Sequence, residues 1–180
     1  MDVRLNRHVD TPCEAVTGIG VAVTRDDGGL LSLTYRVEGI VSDVRWPQRA
    51  APLRTDGLWK HSCFEALLRV AGAPAYREVN LSPSLQWAAY AFDARRTGMR
   101  PDMTMAAPSI ETVATPGSFE LRAVLACPDD KDAPWHLGLS AVIEETSGRK
   151  SYWALAHPPG PPDFHHEDCF ALQIPAASPA

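Results

Sequence analysis

The chain has 180 residues, 45% of them hydrophobic, with 17 Lys and Arg against 22 Asp and Glu for a formal net charge of -5. That length fits one domain whose core needs neither metal nor disulfide to hold it. With no block of basic residues, the footprint of a nucleic-acid or anionic-membrane partner is missing, and neither partner is expected.

Cys13, Cys63, Cys127 and Cys169 are far apart and show none of the paired spacings of zinc or redox sites. They are expected as buried thiols acting as small hydrophobes. The opening MDVRLNRHVD lacks an apolar signal region, and no later run reaches membrane-spanning length, so a cytoplasmic location is expected.

In residues 16–24, Ile19, Val21 and Val23 alternate with small residues, and Asp26-Asp27-Gly28-Gly29 turns the chain into a second run at 30–38. This predicts a hairpin. Residues 40–47 read as a weaker strand ending at Pro47, and the polar segment 48–58 as a loop delivering Trp59. Residues 62–70 then separate by twos into Phe64, Ala66, Leu68 and Val70 against Cys63, Glu65, Leu67 and Arg69. After Gly72-Ala73-Pro74, residues 76–81 alternate again, and after Ser82-Pro83-Ser84 so do residues 85–93. Three adjacent antiparallel strands are predicted.

The stretch 94–108 has no clean period and is expected as a long loop, a feature often functional in compact domains. Strand patterning returns at 110–114, 119–127, 137–145 and 151–157, with turns at 115–117 and 128–134. Then comes the irregular HPPGPPDFHHED, a closing strand at 169–174 and a frayed tail at 176–180. About ten strands without a sustained helical period predict an all-β fold, a single antiparallel β-sandwich over residues 1–175.

If the Phe64 face is core, the opposite face of the three-strand meander carries Glu65, Glu78, Asn80 and Trp87, with Trp59 at the entry loop and Arg95 and Arg96 at the exit. Such a face can grip a polar ligand. The same alternation also describes an ordinary solvated face of an antiparallel sheet.

At Trp59, Cys63, Phe64, Glu65, Asn80, Ser82, Pro83, Trp87 and Tyr90, and again at SYWALAHPPGPPDFHH, the chain resembles the bacterial DOMON-like domain proteins, relatives of family 9 carbohydrate-binding modules. The resemblance implies an antiparallel β-sandwich that holds a sugar or a haem. In the sugar-binding relatives a tryptophan precedes a strand-opening glutamate and a second aromatic closes a slot over the sugar ring. Trp59 and Glu65 match the first two positions, and Trp153, with Trp135 in reserve, is the expected second aromatic. Indole offers an apolar face to the C–H face of a pyranose while carboxylate and amide groups bond its hydroxyls. Trp46, before a proline, is expected to pack at an edge.

In the haem-binding relatives the iron takes a methionine and a histidine from loops. Here the resemblance offers Met99, Met103 or Met105 with His157, His165 or His166, thioether and imidazole being suited to haem. A metal-dependent enzyme built on residues 157–168 is a third class, with His157, His165 and His166 as candidate ligands, although their spacing fits no defined metal motif. His61 shares a strand side with Cys63 but not with Ser62, and no third orienting group completes a nucleophilic dyad.

The expected function is a non-catalytic domain binding a saccharide or sugar-containing metabolite through Trp59, Glu65, Asn80, Trp87, Arg96 and Trp153, with no cofactor required. Glu65, Asn80, Trp87 and Trp59 are expected to line one depression. Arg95 or Arg96 at its edge should hold the Glu65 carboxylate ionised by a bidentate pair, and Trp153 should narrow the opening.

Overall fold

The computed structural model describes residues 1–127 and 132–177. It contains twelve strands: β1 (Asp2–Arg7), β2 (Val16–Arg25), β3 (Leu30–Gly39), β4 (Cys63–Val70), β5 (Tyr76–Leu81), β6 (Trp87–Phe92), β7 (Arg100–Pro101), β8 (Ser109–Thr115), β9 (Ser118–Ala126), β10 (Trp135–Glu144), β11 (Lys150–Ala154) and β12 (Leu172–Ile174). Among the described residues the only helical pieces are the 3-10 turns Val41–Asp43, Leu58–Lys60 and Glu167–Cys169.

Every strand pairing is antiparallel, in the order β7-β6-β5-β4-β10-β11-β1-β2-β3-β9-β8, with β12 added beside the start of β10. The sheet curls into two layers. β1 belongs to both, because its residues 2–5 pair with β2 while Asn6 and Arg7 pair with β11. One core lies between the layers: Ile19, Val21, Leu31, Leu33, Val37, Leu121 and Leu125 from one side meet Phe64, Ala66, Leu68, Val79, Leu81, Leu137, Leu139 and Ile143 from the other. Among them, Ile19, Val21, Phe64, Ala66 and Leu68 are residues that the period-two pattern set apart as apolar.

Three elements differ from the sequence-based expectation. Residues 40–47 do not form a strand, because the Asp43 and Val44 amides bond back to Ile40 and Val41 and the Trp46 indole donates to the Val41 carbonyl. Only Val44 makes a bridge, to Glu145. Trp46 itself stacks on Phe119 with ring centroids 3.9 Å apart, as half-buried packing at the edge of the core. β1 has no visible apolar alternation, since Leu5 is its one buried residue. The stretch 94–108 is not all loop: a tight turn after β6 leads to β7, whose Pro101 sits on the edge strand, where proline costs no ladder bond. The turn expected at 128–134 and the tail at 176–180 lie partly outside the described residues.

The layer holding β4, β5, β6, β10 and β11 is buried on both faces. Its outer face is roofed by the turn at Leu58–Lys60, the turn after β6 and residues 157–170. Two small apolar clusters form beneath this roof, one around Leu67, Tyr76, Ala88, Tyr90, Phe92 and Phe170, the other around Val142, Ala154 and Phe164.

Candidate functional site

A cavity of about 340 Å³ opens on this outer face, lined by Trp59, Glu65, Glu78, Phe92, Arg96, Met99, Val142, Tyr152, Pro162, Phe164 and His165. Strand register fixes its floor. Glu65 lies opposite Asn80 and Ser140, while Glu78 lies opposite Leu67 and Tyr90, so the two acids are diagonal neighbours on one face. Both are nearly sealed from solvent, at 4% and 5% exposure.

The acids have few protein partners. Glu65 Oε2 accepts from the Ser140 hydroxyl at 3.2 Å, and Glu78 Oε1 accepts from the Asn80 amide at 2.6 Å. Burial first, and repulsion by Glu78 second, push the Glu65 carboxyl well above the usual carboxylate range. Burial raises Glu78 as well, against the Asn80 hydrogen bond and the nearby Arg96 charge. The Cys63 thiol, buried behind Glu65, is likewise driven up by burial and by the charge of Glu65.

His165 is held by a chain of hydrogen bonds. The Arg96 amide donates to the Tyr76 hydroxyl at 3.2 Å, and that hydroxyl lies 2.7 Å from His165 Nδ1. Burial, reinforced by Arg96, lowers the imidazole to about 4, so the ring is neutral at pH 7. With Tyr76 donating to Nδ1, the ring proton sits on Nε2, which faces Glu78 Oε2 at 3.5 Å. The ring also packs edge-on against Phe92, with centroids 5.1 Å apart.

Arg96 has φ of 54°, a left-handed conformation unusual for a residue with a Cβ. The tight turn Ala94 to Thr97 imposes it and delivers the Arg96 amide to Tyr76. Its guanidinium does not clamp Glu65, contrary to the expected bidentate pair. Arg95 and Arg96 both bond Asp163 instead, at 2.6 and 2.8 Å. Burial pushes the Asp163 carboxyl up, but these two donors outweigh it and hold it at about 2.

Of the expected site residues, Trp59, Glu65 and Arg96 share the cavity. Trp59 is presented by the turn that starts at Gly57 (φ 77°), and its ring meets Tyr90 edge-on at 5.6 Å. The Tyr90 hydroxyl donates to Asp56, which anchors this turn. Asn80 lies beneath the floor with no exposed surface; it holds Glu78 and accepts from the Cys63 thiol.

Trp87 and Trp153 are not on this face. β6 pairs Trp87 with Leu81 and Ala88 with Asn80, so Trp87 points into the main core, where the Arg54 guanidinium covers its ring at 4.1 Å. Parity along β6 groups Trp87 with Ala89 and Ala91, but only the turn through Leu85 (φ 77°) decides which side meets the core. Trp153 pairs with Ala141 and is also core, its indole bonded to Ser151. The reserve, Trp135, is buried under Arg25. The aromatics that do reach the cavity, Phe92, Tyr152 and Phe164, were not singled out from the sequence. Tyr152 was legible in principle, one step from Trp153 and so on the opposite face.

The three candidate metal-binding histidines are engaged separately. His157 lies outside the cavity, with Nε2 at 2.8 Å from the Asn6 carbonyl and its ring against His8. His166 caps the turn Glu167–Cys169 by accepting from the Asp168 amide. Among the described residues, no three His, Cys, Asp or Glu side chains converge as a metal-binding group. For haem, only Met99 and His165 share the cavity, and both His165 nitrogens face protein partners. The donor set therefore does not fit an axially ligated haem. Met105 is in the core and Met103 is exposed.

The sequence matches no protein-family model and no curated protein. Solved structures do match. A protein of Bacteroides uniformis ATCC 8492, provisionally assigned to carbohydrate binding, superposes with a TM-score of 0.65 at 12% identity, covering 93% of this chain and 83% of its own. A family 9 carbohydrate-binding module of Caldicellulosiruptor kristjanssonii, solved with cellotriose, gives 0.51 at 12% identity, covering 88% and 75%. The fold is thus that of a carbohydrate-binding-module β-sandwich.

Proposed function

We propose that this protein binds a saccharide or sugar-containing metabolite, without transforming it, in the cavity over β4, β5 and β10. The observation that carries this reading is a polar floor of Glu65 and Glu78 set among Trp59, Phe92, Tyr152 and Phe164. A pyranose presents hydroxyls around its rim and C–H bonds on its faces, and this lining offers partners for both. A sandwich of the kind seen with cellotriose supports the same reading. The volume suits a monosaccharide or the end unit of a longer chain. Asn80, Ser140 and the Tyr76 hydroxyl act as positioning groups for Glu78, Glu65 and His165.

We also propose a cytoplasmic location, a reading supported by the thiol form of Cys13, Cys63 and Cys169. A thermal-shift screen of neutral, amino and acidic monosaccharides and their phosphates, followed by calorimetry on any hit, tests the function. A sugar that raises Tm in the parent protein but not in Trp59→Ala supports it. No shift with any sugar at millimolar concentration overturns it.

A further inference from the structure

Resting on the saccharide reading, we infer that the cavity selects a sugar bearing a protonated amine, an amino sugar, whose ammonium sits between Glu65 and Glu78. Among the described residues, no arginine or lysine forms an ion pair with either buried acid: the His165 ring lies 3.5 Å from Glu78, and Arg96, whose charge reaches both acids, is bonded to Asp163. Among the described residues, Glu65, 4% exposed, has one hydrogen-bond partner for its carboxylate, the Ser140 hydroxyl on Oε2, which leaves Oε1 to the cavity that Glu65 lines.

The rings of Trp59, Phe92, Tyr152 and Phe164 line the same space, and aromatic surface beside carboxylates is the environment that stabilises a bound ammonium. Arg96, the one permanent cation in the lining, bonds Asp163, as does Arg95. Two guanidiniums on one carboxylate leave a positive charge at the rim, where both arginines are more than half exposed and screened by water. Deeper in, the acids face Asn80, Ser140, His165 and the Cys63 thiol, none of which carries positive charge at neutral pH. An ammonium between them supplies the missing counter-charge. It also favours the ionised form of both carboxyls, so binding releases protons.

The test is calorimetry on the intact protein with glucose, mannose and galactose, their 2-amino-2-deoxy forms, their N-acetyl forms and their 6-phosphates. It is run below the amine pKa, in two buffers of different ionisation enthalpy. The expected result is that one amino sugar binds about tenfold or more tighter than its parent and its N-acetyl form, as one charge-assisted contact implies. Net proton release should accompany it. Glu65→Gln and Glu78→Gln should remove the preference, and a melting curve will show whether each variant is folded. A parent sugar or a phosphate binding as tightly as the amino sugar overturns this inference and leaves the saccharide reading standing. If no sugar binds, both fail.

Discussion

The Tyr35 hydroxyl donates a 2.8 Å hydrogen bond to the carbonyl oxygen of Glu65, tying the strand that carries the acid across the core to the opposite layer. Tyr35 is fully buried, and its phenol is held well above its usual pKa by burial and by the charge of Glu65. Tyr35→Phe keeps the ring and leaves the oxygen without this donor. It should cost about 1–3 kcal/mol in urea denaturation, the range for a buried polar group losing its partner. A loss below about 0.5 kcal/mol would mean the bond contributes little to holding β4.

The cavity groups impose opposite slopes on the stability of the fold. His165 titrates near 4 in the folded protein, below its ordinary 6.5. The unfolded chain therefore binds more protons between those values, and stability should rise with pH across that window. Glu65 has the reverse sign: its folded pKa is raised, so the folded state binds more protons and stability falls as pH rises above the usual carboxylate range. Urea midpoints from pH 4 to 8 should show the acid limb flattened in His165→Gln. Glu65→Gln should be more stable than the parent at neutral pH. NMR titration should find one imidazole still neutral at pH 5.

Trp59→Ala and Trp153→Phe separate the cavity tryptophan from the buried one. The first removes a wall of the site and should weaken sugar binding about tenfold or more, with little change in Tm. The second keeps most of the core volume but loses the indole bond to Ser151. It should lower Tm and leave affinity within about twofold, since it touches no ligand-facing surface. Affinity lost in Trp153→Phe with Tm unchanged would reverse the assignment.

Asp163→Asn removes the anion that holds both arginines of the turn after β6. Because the arginines are largely exposed, the stability cost should be modest, about 1 kcal/mol or a Tm drop of about 2–4 °C. The larger effect should fall on His165, both directly, since Asp163 accepts from the His165 amide at 3.1 Å, and through the Arg96 amide and Tyr76. A histidine titration that moves in the variant while the rest of the spectrum stays fixed would confirm the connection.

The sandwich was legible from alternation because each layer turns one residue in two toward the shared core, and Phe64, Ala66 and Leu68 report that directly. The acid floor was legible for the same reason, since Glu65 and Glu78 break the apolar pattern on a face that turns out to be covered. What alternation cannot say is which parity of a strand meets the core. In β4 the difference between Phe64 and Glu65 decides it, whereas in β6 and β11 both parities carry aromatics, and only register across a turn tells Trp87 from Tyr90 or Trp153 from Tyr152. The roof escaped for another reason. Phe164, His165 and Asp163 sit in a segment without period, placed by hydrogen bonds to Tyr76 and the two arginines.

The double membership of β1 bears on synthesis. Asn6 pairs with Ala154, so the seam between the layers cannot close until the chain through β11 has left the ribosome. The three strands bearing Glu65, Glu78 and the cavity aromatic Phe92 are consecutive hairpin partners and can pair much earlier. Until β10 arrives to cover the free edge of β4, that edge is open to other strands. Chains stalled between residues 93 and 134 should therefore be the aggregation-prone species, and charge introduced along that edge the means of protecting them.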